Sequence, residues 1–307
     1  MLAALLTTLL FATSAVCGFR SAKQIGGVEA NFWRITLATI FLTVWAFTCG
    51  SGFAGAPEWF LLSGLFGIGI GDSAYFQALP RLGSRRTVLL TQCLTAPFAA
   101  LIEFFWLGTK LNLAEILCVA VILGGVAIAL APGDHLKISA RDWKIGLAAS
   151  VFAALGGALG AVIIRKGYSA IHDAGLSVDA GTTGYQRVLG GILIPAIALL
   201  IFKSRSAHAH GPAFAGGTLQ ISRDKWARIW PWVLANALAG QTLGVTAMQW
   251  ALKTTQAGIV TAIIATTPLV LLPMTRIIEK EKIGVRPLVG ALIAVGGVIG
   301  LTFLRIK

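Results

Sequence analysis

The sequence predicts an all-α polytopic membrane protein: ten transmembrane helices forming two inverted five-helix repeats. Three observations carry this. The 307 residues are 56% hydrophobic and only 12% charged, with a mean hydropathy of +0.82, whereas soluble domains carry about 25% charged residues. A soluble fold of this length has too little interior to hide so much apolar surface. The apolar residues gather in ten runs, each near the 20 or so residues that one helical crossing needs. Finally, the two halves of the chain repeat one another.

The repeat runs through the whole order of spans. Leu2-Ala3-Ala4 to Arg20 recurs as Leu147-Ala148-Ala149 to Arg165, 145 residues later. Arg34 recurs as Arg187, Ala78-Leu79 as Ala251-Leu252, and Gly124-Gly125-Val126 as Gly296-Gly297-Val298. Five spans per half make the halves enter the membrane in opposite senses. Such inverted repeats are the usual plan of secondary transporters, with the substrate site near the midplane between them.

Each span has its own justification. The first, 2–19, carries no charge; no Lys or Arg precedes it, as a secretory signal would require, so it reads as a retained helix. The second, 32–49, opens on Phe32-Trp33-Arg34, and the third, 59–79, holds Gly67-Ile68-Gly69-Ile70-Gly71-Asp72. In the fourth, 87–107, Gln92, Thr95 and Glu103 form one polar stripe, because helical periodicity brings these positions to one face. Pro97 lies within that stripe and bends the helix. The fifth, 113–131, holds Gly124-Gly125, and Pro132 to Lys144 is the natural linker between halves. The sixth, 145–164, repeats the first, and the seventh, 185–202, opens on Tyr185-Gln186-Arg187. Lys203 to Ile229 is the longest connection, polar and glycine-containing. The eighth, 230–252, puts Gln241, Gly244 and Met248 on one face, closed by Gln249-Trp250. The ninth, 257–278, carries Thr261, Thr266 and Thr267 beside Pro268 and Pro273, and the tenth is 287–304.

The net charge of +13 comes from 25 Lys and Arg against 12 Asp and Glu. Because the basic residues sit in short connections, they orient the chain and meet anionic lipid; they do not form a nucleic-acid footprint. Connections after odd-numbered spans hold 17 of them and the opposite side six, with Arg34 and Arg187 inside spans. The positive-inside rule therefore places both termini outside. The four cysteines fall inside apolar runs without a CxxC pair and read as small hydrophobes.

Ionisable and polar groups inside the hydrocarbon are the sharpest functional signal. Asp72, with Tyr75 and Phe76 on its face, suits an amine or a coupling proton; the alternative is a structural pair with an arginine. Gln92, Thr95 and Glu103 suit a cavity wall, although Glu103 also suits an interfacial carboxylate near Lys110. Gln241, Met248, Gln249 and Trp250 are candidates from the second half, with Trp250 alternatively an interface anchor. Arg34 and Arg187 are expected on opposite sides of the membrane, as gate residues or as caps and lipid ligands. Small-xxx-small faces at Gly67/Gly71, Gly156/Gly160, Gly240/Gly244 and Gly296/Gly300 favour close helix packing, with a homodimer through one of them as the alternative.

Both halves resemble the EamA-type module of the drug/metabolite transporter superfamily. The features that carry the resemblance are the small-residue helix ending in Arg20, Ala30 to Arg34, Gly71-Asp72 to Ala78-Leu79, Pro97 and Gly124-Gly125, then Tyr185-Gln186-Arg187, Gly244 to Ala251-Leu252, Pro268, Glu281 and Gly296-Gly297. The acid after the fourth span of the module is present as Glu281, whereas the first half reads Gly108-Thr109-Lys110 there. The resemblance divides the chain into modules at 1–132 and 143–306. It implies a carrier of small metabolites, commonly an exporter of amino acids or similar compounds, with termini drawn in the cytoplasm; the charge count points the other way and is kept.

The functional expectation is a secondary transporter, exporting a small-molecule substrate by alternating access, with a proton as candidate coupling ion. No GxxxxGK[ST] nucleotide loop is present, and no cofactor or metal is implied. A lipid-modifying membrane enzyme is the alternative class, but all four histidines lie in connections and no HExxH or triad spacing occurs. A non-transporting membrane partner is a third class, which the internal inversion disfavours. The compact loops favour a bacterial inner (cell) membrane.

Overall fold

The computed structural model describes residues 2–107, 112–130, 138–210, 223–254, 263–279 and 284–305. Among them ten helical rods occur and no strand. They are α1 (Leu2–Ile25), α2 (Gly27–Thr48), α3 (Pro57–Leu82), α4 (Ser84–Leu107), α5 (Leu113–Leu130), α6 (Ala140–Asp173), α7 (Ala180–Gly191 continuing as Leu193–His210), α8 (Arg223–Asn236, Ala237–Thr242 and Leu243–Thr254), α9 (Thr267–Met274 and Thr275–Glu279) and α10 (Val285–Arg305).

Eight of these helices are long and apolar enough to cross a membrane: α1 to α7 and α10. The protein is thus an all-helical polytopic membrane protein. Of the expected ninth span, only the part from residue 263 is described, so Thr261 lies outside the described residues, as do Lys110 and Glu281. In α8, buried Asn236 and Gln241 together with Trp230-Pro231-Trp232 lower the hydropathy. A helix that faces polar groups inward need not be apolar all round.

Helix ends depart from the apolar runs where capping chemistry decides them. The expected sixth span, 145–164, is a 34-residue helix, about 50 Å long at 1.5 Å per residue. Ser139 caps its start by accepting from the Asp142 backbone N–H at 3.0 Å while its hydroxyl donates to the Asp142 carboxylate at 2.7 Å. Its far end stops before Gly175, whose φ of +66° no helical residue adopts. Similarly, Asp179 accepts from the Thr182 N–H at 2.9 Å and starts α7 ahead of the first expected residue. Within the expected connection Lys203–Ile229, helix continues to His210 and resumes at Arg223; residues 211–222 lie outside the described residues.

The helices pair reciprocally. α1 packs along α8 and α9, and α6 packs along α3 and α4. α2 packs on α7, and α5 pairs with α10 at one edge. Glycines set the closest approaches. A Cβ at Gly156 would lie 2.8 Å from the Gly71 Cα, and one at Gly160 would lie 3.1 Å from the Gly67 Cα. The two GxxxG faces on α3 and α6 therefore pack on each other, backbone against backbone. On α10 the contact runs through Gly290 and Gly297, which meet Ala129 and Ile122; Gly296 faces open space. Cys17 and Cys93 are buried as expected of small hydrophobes, but Cys49 is exposed at the end of α2.

Candidate functional site

A cavity of about 240 Å³ opens where α1, α2, α3, α4, α6, α7, α8 and α9 converge. Its volume falls just below the roughly 300–1,000 Å³ of ordinary small-molecule sites, which suits a small metabolite. Three of the helices that line it are locally widened. α9 carries π-helical turns over Thr275–Glu279, beyond its lining residue Thr267, while α3 carries them over Leu65–Asp72 and α8 over Ala237–Thr242. Leu65 and Ala237 are 172 residues apart, the same spacing as Gly124 and Gly296. The widened turns of α3 and α8 end at or beside a cavity group, Asp72 on α3 and Gln241 on α8. Single π-turns inside α-helices recur at functional sites.

Asp72 and Gln241 meet across the cavity. The Asp72 carboxylate accepts from the Arg34 guanidinium at 2.7 Å and from the Gln241 side-chain amide at 2.7 Å, both at Oδ2. Arg34 also donates to Asn31 Oδ1 at 2.8 Å and lies over the Phe76 ring, 4.7 Å from its centroid. Thus α2, α3 and α8 are joined through one carboxylate oxygen. The Arg34 side chain is 5% exposed and that of Asp72 25%, so the acid is the more accessible partner. Space for this arrangement depends on Gly240, where a Cβ would lie 2.5 Å from Ser14 Oγ and 3.5 Å from Arg34 Nη1. Ser14 in turn donates to Asn236 Oδ1 at 2.7 Å.

Arg187 enters the same cavity from α7. Its Nε donates to Ser63 Oγ at 3.2 Å, and that hydroxyl donates to the Gly160 carbonyl at 2.9 Å. Arg34 and Arg187, expected on opposite sides of the membrane, both line this one cavity, Arg34 from α2 and Arg187 from α7.

Eight of the expected residues line it: Asp72, Tyr75, Gln92, Thr95, Gln241, Met248, Arg34 and Arg187. Four do not. Phe76 is 1% exposed and packs beneath Arg34 in a cluster with Ala22, Ala30 and Leu79. Glu103 pairs with Arg165 of α6; Lys110, expected near it, lies outside the described residues. Gln249 is buried and accepts from the Tyr168 hydroxyl, while Trp250 is 58% exposed on the outer surface. The reason is helical geometry: Gln249 and Trp250 follow Met248 by one and two residues, about 100° and 200° around the helix. Among the residues missed, Phe11 and Ser14 of α1 and Ala153 and Gly157 of α6 line the cavity. Small or apolar residues in apolar runs carry no sequence signal of their own. Among the described residues no group of His, Cys, Asp and Glu is placed to hold a metal; the side chains of His208 and His210 lie outside those described.

Polar contacts join neighbouring helix ends at both ends of the bundle. At one end Ser84 of α4 donates to Glu279 of α9, Arg20 donates to the Ile278 carbonyl, and Arg81 lies 3.8 Å from Asp142. At the other, Gln186 donates to the Gly52 and Ala54 carbonyls at 3.1 and 3.0 Å, and the Trp45 indole donates to Asp179 at 3.0 Å. Burial raises the Asp179 carboxyl, but the hydrogen bonds from Thr182, Trp45 and the Thr182 and Gly181 N–H groups outweigh it and hold the group below its ordinary value.

The fold is a helical membrane bundle around a charged internal cavity. The EamA-like transporter family profile matches residues 1–131 and again 143–303. The chain belongs to the EamA-like transporter family. A solved structure described as "Crystal structure of protein" is similar to it at a TM-score of 0.65 and 16% identity, covering 100% of this chain and 98% of that one. That likeness is one of fold alone. A search of curated proteins found no match.

Proposed function

We propose that this protein is a secondary transporter that exports a small polar metabolite by alternating access. In this reading ten spans form two inverted five-helix modules, 1–132 and 143–306, and the cavity is lined by residues of both. The observation that carries the reading is the Asp72–Arg34–Gln241 junction, which ties α2 and α3 to α8 inside the cavity. Reciprocal packing of α1 on α8 and of α6 on α3 supports the inversion. Glycine-to-glycine packing of α3 on α6 supports rocking, because smooth backbone faces slide without interlocking side chains. Opening would break the Ser84–Glu279 end or the Gln186 end in turn.

Asp72 does not stand free for a substrate amine at Oδ2, where Arg34 and Gln241 already bind. Its place in the cycle is to release Arg34 when a proton or a cationic group arrives, which makes a proton the natural coupling ion. The charge bias of the connections supports both termini outside and the Ser84–Glu279 end in the cytoplasm, and the compact loops support a bacterial inner membrane. Export is read by overexpressing the protein in bacterial cells and profiling solutes that accumulate in the medium. A solute released by the wild type and retained by a normally inserted Asp72→Asn variant is the expected result. Equal release by both removes Asp72 from the mechanism, and no released solute removes export.

A further inference from the structure

Arg187 is the cavity cation without a carboxylate bound to it. The residue is 8% exposed, yet its Nη1 has no hydrogen-bond partner among the described residues. A buried guanidinium left with an open donor is costly unless something occupies it. Its orientation is fixed, because Nε is held by Ser63, whose own proton is committed to the Gly160 carbonyl. Nη2 lies over Gly67, where a Cβ would come within 3.6 Å. The Arg34 charge, by contrast, is already met by Asp72 at 2.7 Å. Among the described residues the charged lining groups are one carboxylate and two guanidiniums, an excess of one positive charge.

We infer that Arg187 is the anion subsite of this cavity, receiving the carboxylate of a small transported acid on its guanidinium. One monoanion balances the excess charge, whereas a dianion overshoots it. A carboxylate accepts charge-assisted hydrogen bonds from an arginine fork, and these are stronger than neutral ones. Gln241 Oε1, also buried without a partner, is an acceptor for an N–H group on the same molecule. The inference deepens the carrier reading and rests on it for the claim that the bound acid is cargo.

The test reads the subsite without transport. Purified wild-type protein in detergent is treated with the arginine reagent phenylglyoxal, and modification is mapped by mass spectrometry. The largely exposed Arg165 serves as the internal reference, its side chain being 66% exposed. Propionate is compared with propionamide at equal concentration and ionic strength. The expected result is that propionate slows modification of Arg187 about fivefold or more once it exceeds its dissociation constant, propionamide does not, and Arg165 is unaffected by either. Equal rates with propionate and propionamide overturn the inference. So does an Arg187 that stays unmodified while Arg165 reacts, since the donor would then be unreachable from water. If propionate protects but no solute is exported in cells, the carrier reading falls and the anion subsite stands.

Discussion

Replacing Gly156 by alanine tests how the two halves hold the cavity together. The added Cβ would lie 2.8 Å from Gly71 Cα, 2.9 Å from the Phe66 carbonyl oxygen and 3.0 Å from Gly71 N. All three are backbone atoms, so no side chain can swing away. Carbon atoms settle about 3.5–4.0 Å apart, so α3 and α6 must separate by roughly 1 Å. Overpacking of this kind costs about 1–3 kcal/mol, set against a helix-propensity gain of at most about 1 kcal/mol for Gly to Ala. The net expectation is a loss of up to about 2 kcal/mol. Gly296→Ala is the matched control, because a Cβ there meets nothing within 4 Å; it keeps the propensity gain and loses nothing. Unfolding of the purified proteins in mixed micelles should move the two midpoints in opposite directions. Equal destabilisation by both, or none by Gly156→Ala, would refute the packing argument.

Three further outcomes follow from the polar contacts. Arg34→Ala leaves a cavity carboxylate with Gln241 alone and should cost up to about 3 kcal/mol, since Asp72 is partly exposed; a double-mutant cycle with Asp72→Ala should recover much of that loss. Glu103→Gln should lower stability by less than about 1 kcal/mol, because Arg165 is largely exposed, and should leave export unchanged; an export-dead variant that inserts normally would return Glu103 to the site. Asp179 has a folded pKa below its ordinary 3.8, so its contribution is full above that value and is lost as pH falls through the lower folded pKa. Thermal stability of the wild type should therefore drop more steeply in strong acid than that of Asp179→Asn.

Much of this molecule was legible from residue types set against apolar surroundings. Asp72, Arg34, Arg187, Gln92 and Gln241 stood out because a polar group in a membrane run is expensive, and each lines the cavity. The duplicated order of small residues and arginines named no packing partners; the reciprocal packing of α1 with α8 and α6 with α3 is visible only in the bundle. What stayed hidden had no local signature. The π-turns at Leu65–Asp72 and Ala237–Thr242 need tertiary contacts to pull a helix wide. Ser14 reads as any small residue until Gly240 and Asn236 are beside it. The Arg34–Asp72 pair joins residues 38 apart in sequence, and only the bundle decides which acid an arginine finds. Helix lengths misled where caps outran hydropathy, as with Ser139 and Asp142 at the start of α6.

The central claim is that one cavity faces the two sides of the membrane in turn. Thr95 lines that cavity, so Thr95→Cys, in a background with Cys17, Cys49, Cys93 and Cys118 replaced, reports its access. A membrane-impermeant maleimide is applied to right-side-out and to inverted vesicles. The account predicts labelling from both sides, each blocked when the opposite face is held open by trapped substrate. Labelling from one side alone under every condition, with export intact, would contradict it.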